Sequence, residues 1–572
     1  MTRIFDDPAE FADDQLAGFL DLYADRVRGV HGGVVTHRGD EPQVAVVVGG
    51  GSGHYPAFCG TVGPGLAHGA VVGNIFTSPS AAQAYSVGKA ADQGRGVIFS
   101  FGNYAGDVMN FGIAAERLRA EGIDTRIVIV TDDVASAEEE QKRRGIAGDF
   151  TVFKAMGAAA ARGLGIDEVE RLGRAANAAT RTLGVAFSGC TMPGEDEPLF
   201  TVPEGHLGLG LGIHGEPGIR DVEMLPARDL AALLVDEVCK NAPAGAPKRV
   251  GTILNGLGTT KYEELFLLWR HVAPRLREAG LEIVEPEVGE LVTSLDMGGC
   301  SLTLMWLDDE LDPLWRADAY TPAYRKAAAP LAPLREPTPD ELAEAEAVVT
   351  APEAGEAGRR LAGTVRTALA AVESTIREHE HELGRIDAVA GDGDHGRGML
   401  KGVTAATARV RESGDRVGGG WLLQQAGQAW AERAGGTSGV LWGAALEAFG
   451  RHLGDTADAY PAGTVAAGVR EFASTIQQLG GAQPGDKTLL DALLPFVDDL
   501  ERRVGAGEEL APAWAGAAEV ATEQAGRTAD LRPKIGRARP LAERSVGTPD
   551  AGATSMGLVV TAVGAVLESE PC

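Results

Sequence analysis

Cysteine is scarce in this 572-residue chain: Cys59, Cys190, Cys239, Cys300 and Cys572 are scattered and odd in number, with no C-x-x-C pair. They read as free thiols of a reducing compartment, and a cytoplasmic location is expected. Positive charge is also short, with 52 Lys and Arg against 81 Asp and Glu and a net charge of -29. Nucleic acid and anionic membrane surfaces select basic patches, so neither is an expected partner. An anionic substrate such as ATP must then be received at a locally neutralised site. No uninterrupted apolar run reaches the roughly 18 residues of a membrane span, so none is expected. The N-terminal Met-Thr-Arg-Ile-Phe-Asp-Asp lacks the apolar core of a signal peptide.

What is present organises into two halves. Residues 1–325 alternate β-rich and helical runs. Gln43–Val48, Gly96–Phe101 and Arg126–Val130 are mainly apolar runs without alternation, each followed within two residues by Gly or Asp. Such runs fit strands covered on both faces, as in α/β folds. Val250–Leu254 and Ser301–Trp306 look like strands of a second α/β lobe, with lobes at about 1–185 and 186–325. Residues 326–358 turn to Ala, Pro and Glu and read as a linker, with a short helix at 340–349. From 359 to 572 the pattern is helical throughout: amphipathic segments at 359–383, 399–413, 421–434, 438–453, 462–480, 486–504, 510–527 and 552–568 predict an all-α bundle with functional loops at one end.

The loops carry the chemistry. Asp387-Ala-Val-Ala-Gly-Asp392-Gly-Asp394-His395-Gly-Arg-Gly sets three carboxylates in a glycine-broken loop. Converging carboxylates repel one another and call for a hard cation such as Mg²⁺, which keeps room for phosphate oxygens. Gly435-Gly-Thr437-Ser438-Gly439 precedes a helix and suits a phosphate at its N-terminus. Gly485-Asp486-Lys487-Thr488, Gly536-Arg537 and Gly547-Thr-Pro-Asp550-Ala-Gly552 add further loop positions. Each alone could be capping; together they suggest a ring around a nucleotide. In the first half, Gly49-Gly-Gly-Ser-Gly-His54 follows a strand but is neither a Walker A loop nor G-x-G-x-x-G, because no Gly-Lys-Ser/Thr follows and Pro56 intervenes. Asn103-Tyr-Ala-Gly-Asp107 follows the next strand, where Asp107 is either a helix N-cap or a general base. Gly212-Ile-His214-Gly-Glu-Pro-Gly218 places a histidine between glycines on an exposed turn. It is either structural or a nucleophile toward a carbonyl.

These motifs, in sequence, order and separation, resemble the single-chain ATP-dependent dihydroxyacetone kinases over nearly the whole chain. In that family a ketose-binding K half, α/β in two lobes, precedes an ATP-binding L half, an eight-helix barrel with a metal site at one end. The resemblance implies that His214 forms a covalent hemiaminal with the substrate ketone, and that His54 and Asp107 bind and polarise the reacting hydroxyl. Gly51, Ser52 and Gly53 would complete the ketose pocket. Asp387, Asp392 and Asp394 would hold two Mg²⁺ ions on the ATP phosphates. Nucleotide contacts carry to His395, Gly396, Arg397, Gly398, Thr437, Ser438, Gly480, Leu489, Arg537, Asp550, Ala551 and Gly552. Because the two active faces must meet, a domain-swapped homodimer is expected.

The chain departs from the usual pattern around the sugar pocket. Tyr55 replaces a Glu and Phe58 follows; Gly102 stands where a Lys usually precedes Asn-Tyr, which would make room; Asn74 and Thr77 alter another segment. The Tyr-Pro-Ala-Phe form and the Ala-Arg-Pro-Leu-Ala-Glu-Arg-Ser-Val-Gly-Thr-Pro-Asp stretch look like the erythrulose (tetrulose) kinase branch. Phosphorylation of a four-carbon ketose is the expected activity, with dihydroxyacetone the close alternative. A lyase that cyclises FAD, a ketose sensor without turnover and a phosphoprotein-dependent kinase are the other readings. Loss of the histidine or of the Asp trio would favour the sensor, and both are intact.

Overall fold

The computed structural model describes residues 2–37, 39, 41–327, 351–434, 436–535 and 542–569. The chain divides into two compact units, Met1–Arg335 and Glu336–Cys572. The expected linker helix at 340–349 and Arg537 lie outside the described residues.

The first unit is built on two six-stranded sheets. In the first, β1 (Val27–Val30), β2 (Gly33–Thr36), β3 (Ala45–Ser52), β4 (Gly69–Ile75), β5 (Val97–Gly102) and β6 (Thr125–Val130) lie in the order β1-β2-β4-β3-β5-β6. Strands β4, β3, β5 and β6 are parallel, and the β1–β2 hairpin adds an antiparallel edge. The run of valines in β3 is explained by burial on both faces. Ala45 and Val47 join a core with Ala84, Val87, Phe111 and Leu118 of helices α2 (Ala81–Ala91) and α3 (Ala105–Ala120). Val46 and Val48 face the other way, into a core with Phe150, Phe153, Met156 and Val169 of α4 (Asp149–Ala161) and α5 (Ile166–Ala178).

The second sheet takes β7 (Thr180–Ala186), β8 (His206–Leu209), β9 (Arg220–Glu223), β10 (Arg249–Gly256), β11 (Glu282–Gly289) and β12 (Gly299–Trp306) in the order β11-β10-β12-β7-β8-β9. The sheets therefore change over between α5 and β7, at residues 178–180, rather than near 185. One face packs Leu183, Val185, Leu254 and Leu302 against α6 (Ala227–Lys240) and α7 (Tyr262–Glu278). The opposite face sends Ala186, Ile253 and Met305 into the same core as Val46 and Phe153, so the two lobes share one apolar interior.

Among the described residues of the second unit, eight long helices follow one another: α8 (Glu356–Asp387), α9 (His395–Glu412), α10 (Gly419–Ala434), α11 (Gly436–Leu453), α12 (Ala462–Gly480), α13 (Leu490–Gly505), α14 (Leu510–Arg527) and α15 (Ala551–Ser569). Each packs on the next, and α15 packs back on α8, which closes a barrel. The interior is apolar: Trp430 stacks on Trp442 with ring centroids 5.0 Å apart, and Phe472, Phe496 and Trp514 line a cavity of about 160 Å³. Helix α15 has the length and composition to cross a membrane, but 56% of its apolar window is buried in this unit, as expected of a stave that closes a barrel. Two helix starts differ from the sequence expectation by a full turn. Helix α9 begins at His395 rather than 399, while α13 begins at Leu490 rather than 486, because Asp491 accepts from the Thr488 N–H and holds 485–488 as a loop. Likewise Thr437 and Ser438 lie in the first turn of α11 instead of preceding it.

Close backbone approach fixes some glycines. A Cβ on Gly157 of α4 would lie 2.0 Å from the Leu66 carbonyl oxygen, whereas one on Gly112 of α3 would meet nothing within 4 Å. Gly157→Ala is expected to destabilise the first unit by about 2 kcal/mol or more, and Gly112→Ala to be neutral or stabilising by about 0.5–1 kcal/mol. Thermal unfolding of the two variants beside the wild type checks both signs.

Candidate functional site

In the first unit the motif residues converge at the carboxyl ends of β3 and β5, where open α/β sheets place ligands. Strand β3 runs into Gly51, Ser52 and Gly53 and delivers His54 into the interior, 2% exposed. Gly53 has φ +99°, and a Cβ on Gly51 would lie 2.6 Å from the Thr77 backbone nitrogen, so this turn needs glycine. The Ser52 hydroxyl is sealed from solvent with no hydrogen-bond partner, which leaves a donor available beside His54. The segment after β11 clamps the loop: Leu295 N–H donates to Gly53 O at 2.8 Å, and Ser294 Oγ donates to Ile213 O in the His214 loop.

His54 and His214, 160 residues apart, meet end to end with Nε2 to Nε2 at 3.0 Å. The carbonyl of Thr293, an acceptor only, lies 2.7 Å from His54 Nδ1, so that nitrogen carries the hydrogen and Nε2 is left as acceptor. Burial, then the neighbouring His214 charge, lowers the His54 pKa to about 3, so the ring is neutral near pH 7. His214 is not on an exposed turn as expected. Its side chain is 21% exposed, walled by Phe76 at 5.0 Å and Tyr104 at 4.9 Å between ring centroids. Its other nitrogen, Nδ1, lies 3.0 Å from Glu216 Oε1.

Asp107 is not the N-cap of α3; Tyr104 holds that position, and Asp107 sits in the first turn. The residue is 7% exposed and its carboxylate accepts from Ser78 Oγ at 2.7 Å, while Asn110 Nδ2 donates to the same hydroxyl at 3.3 Å. Burial raises its pKa from 3.8 to about 6, against the Ser78 hydrogen bond and the His214 charge. A carboxylate poised there can accept a proton near neutral pH. Gly102 does not open space. A Cβ there would lie 3.0 Å from both Gly145 O and the Tyr104 ring, so the glycine permits a tight strand-to-loop approach. Phe58 fills its place through Gly50, where a Cβ would lie 2.7 Å from its ring.

The second unit brings its motif loops to one end. In an up-and-down barrel alternate connections share an end. The α8–α9, α10–α11, α12–α13 and α14–α15 junctions do so, and they contain every described nucleotide-site residue named from the sequence. Asp387 ends α8 and Asp394 caps α9; oxygens of Asp387, Asp392 and Asp394 all lie within 4.8 Å of one another. The loop between them turns through Gly393 at φ +74°, and a Cβ on Gly391 would lie 2.4 Å from Asp387 Oδ1. Asp387 Oδ2 is buried without a hydrogen-bond partner. An oxygen-only donor set with an orphaned buried carboxylate oxygen fits a divalent hard cation.

Around this trio, His395 opens α9 and its Nε2 lies 2.9 Å from Ser555 Oγ of α15. Burial lowers its pKa against the raising charge of Asp387. Asp550 accepts from Ala553 N–H at 2.7 Å at the start of α15, and burial raises its carboxyl to about 6. Leu489 packs against Gly552, where a Cβ would lie 3.3 Å from the Leu489 Cβ. Gly396, where a Cβ would lie 2.0 Å from Glu380 O, fits α9 against α8. Gly398 lies beside the last turn of α10, Gly480 ends α12, Ala551 opens α15, and Arg397 and Ser438 are exposed. The Thr437 side chain and Arg537 are outside the described residues. Sequence reasoning missed Ser78, Tyr104, Arg144, Glu216 and Thr293; of these Tyr104 and Glu216 stood inside named motifs.

Known proteins match both units. The Dak1 domain matches residues 17–323 and the DAK2 domain residues 389–565. The chain is 59% identical over 572 residues to a D-erythrulose kinase of Mycolicibacterium smegmatis, covering 98% of each chain. It is 54% identical over 580 residues to an L-erythrulose kinase of Pectobacterium atrosepticum, covering 100% of this chain and 97% of that one. Among solved structures, the dihydroxyacetone kinase from C. freundii in complex with AMP-PNP and Mg²⁺ aligns with TM-score 0.59 and 28% identity, covering 99% of both chains.

Removing one carboxylate of the trio tests the cation site. Asp387→Asn is expected to weaken Mg²⁺ binding by about tenfold or more, measured by isothermal titration of the full chain in the absence of nucleotide.

Proposed function

The chain belongs to the ATP-dependent dihydroxyacetone and erythrulose kinase family built from a Dak1 and a DAK2 domain, and from that premise we propose that it transfers the terminal phosphoryl group of ATP to a terminal hydroxyl of a four-carbon ketose, erythrulose. The observation that carries this reading is the His54–His214 contact beside a buried, near-neutral carboxylate, Asp107. The two erythrulose kinase relatives favour the four-carbon substrate, and the C. freundii dihydroxyacetone kinase structure supports dihydroxyacetone as the alternative. The K-type role falls to residues 1–325, and the L-type role to 359–572 across the 326–358 linker.

Each residue has a physical task. A ketose offers little area for binding, so His214 Nε2 bonds to its carbonyl carbon and holds it as a hemiaminal. Polyols without a carbonyl are thereby refused. Gly51, Ser52 and Gly53 receive the sugar through backbone N–H groups and the unpartnered Ser52 hydroxyl. Asp107 accepts the proton of the reacting hydroxyl as its oxygen attacks phosphorus. Phosphoryl transfer depends mainly on alignment and charge neutralisation. Asp387, Asp392 and Asp394 would hold Mg²⁺, two ions in this reading, which neutralises the phosphate charge when bound. His395, Gly396, Arg397, Gly398, Thr437, Ser438, Gly480, Leu489, Arg537, Asp550, Ala551 and Gly552 would surround the nucleotide. The working assembly is a domain-swapped homodimer, and light scattering of the purified chain reads its mass.

ADP release with ATP and Mg²⁺ against D-erythrulose, L-erythrulose, dihydroxyacetone and glycerol tests the substrate class. Turnover is expected with erythrulose and none with glycerol. His214→Ala is expected to lose about 100-fold or more in kcat/KM; a variant at full rate would refute the covalent anchor.

The rate should also follow Asp107. A base must be deprotonated, so activity is expected to rise with pH through about 6. In Ser78→Ala, loss of the hydrogen bond that favours the ionised carboxylate should move this acid limb to higher pH. A pH–rate profile with an unmoved limb would remove Asp107 from the base role.

A further inference from the structure

Behind the His214 ring stands a line of charge that the reaction as described leaves unused. Glu216 Oε1 lies 3.0 Å from His214 Nδ1, and its Oε2 accepts from the His214 backbone N–H at 3.0 Å. Arg144 Nη1 approaches Glu216 Oε2 at 3.6 Å. Arg144 is itself fixed: Nη2 lies 2.8 Å from Asp133 Oδ2, Nε donates to the same oxygen at 3.0 Å, and Nη2 donates to Gly210 O at 3.2 Å. The Asp133 side chain is 2% exposed and that of Arg144 13%. A Cβ on Gly212 would lie 2.1 Å from Glu216 Oε2 and 2.4 Å from Arg144 Nη1, so the pair fills the space against that backbone.

We propose that Glu216, held by Arg144 and Asp133, is a positioning residue that keeps a proton on His214 Nδ1, directs the ketone to Nε2 and retains the adduct as a cation paired with a carboxylate. This rests on the hemiaminal reading of His214. The hydrogen-bond accounting supports it. His54 presents an acceptor, Nε2, to one end of His214, and Glu216 presents an acceptor to the other. Both contacts are hydrogen bonds only when His214 carries a hydrogen on each nitrogen. Glu216 remains ionised beside it: burial pushes its carboxyl up, but the hydrogen bond and charge of His214, its own backbone N–H and Arg144 bring it down to about 2.

The step balances within the site. The Nε2 proton of His214 passes to His54 Nε2. The freed Nε2 lone pair forms the C–N bond to the carbonyl carbon, and the C=O π pair moves onto oxygen. That oxygen takes the proton from His54 and becomes the hemiaminal hydroxyl. His54 returns to its neutral form, and no proton is exchanged with solvent. The alkylated ring keeps its Nδ1–H and its positive charge, facing Glu216. The titratable groups around the ring are His54, Glu216, Tyr104, Asp107 and Arg144.

Glu216→Gln is the test, because it keeps an oxygen to accept from the His214 N–H while removing the charge. The expected result is a KM for ketose raised roughly 10- to 100-fold, the worth of a charged hydrogen bond, with kcat changed far less. In full-length protein carrying ¹⁵N-imidazole histidine, saturated with [2-¹³C]dihydroxyacetone near pH 7.5, the wild-type adduct should show a protonated Nδ1. The Gln variant should show it deprotonated. An unchanged KM with Nδ1 still protonated would reduce Glu216 to a turn-former and overturn the proposal. A wild-type spectrum with no tetrahedral ¹³C adduct would overturn the hemiaminal reading and the proposal with it. Arg144→Lys, which loses the fork but keeps the charge, carries the same comparison if the Gln variant unfolds at lower temperature, and its KM should rise less than in Glu216→Gln.

Discussion

Two imidazoles meeting nitrogen to nitrogen are the constraint around which the first unit is arranged. Such a contact is attractive only with one hydrogen between the rings, so the groups behind each ring must decide where that hydrogen resides. Thr293 decides it for His54 by offering a carbonyl. Glu216 decides it for His214 by offering a carboxylate. The supports come from both lobes: His54 from the first sheet, Thr293 and His214 from loops of the second. This explains why the lobes share a single apolar interior. An offset of even an ångström between separately packed sheets would separate rings whose nitrogens lie 3.0 Å apart.

The second unit answers a different difficulty, which is holding like charges together. Asp387 is fixed by the end of a 32-residue helix and Asp394 by the start of the next. Their repulsion is thus resisted by two long staves rather than by a loop alone. The glycines at 391 and 393 let the intervening turn pass beneath the carboxylates without a side chain in the way. The buried, unpartnered Asp387 oxygen is costly in any state lacking a cation. A cation bound there would relieve that cost, so folding and metal binding would be linked through the same atom.

The sequence made much of this legible, for identifiable reasons. Apolar runs such as Gln43–Val48 reveal strands covered on both faces, and 3.6-residue periodicity reveals the eight staves. Short strands were not visible: β8 and β9 have four residues each, too few for a pattern. The glycine-flanked motifs singled out His54, Asp107 and His214, which the fold brings together. Their supports did not announce themselves. Ser78 acts on Asp107 from 29 residues away and Arg144 acts through Glu216, and no local spacing encodes such contacts. Gly102 misled for a related reason. An absent side chain suggests a void, but the backbone of Gly145 had already closed on it.

Closure of the barrel by α15 against α8 has a topological consequence. Its first and last staves are neighbours, and the polypeptide enters and leaves at the rim opposite the acidic loop. The connections at that rim, 413–418, 454–461 and 506–509, carry none of the nucleotide-site residues. The ring could be opened at one of these rear connections and its original ends spliced while every functional turn stays intact.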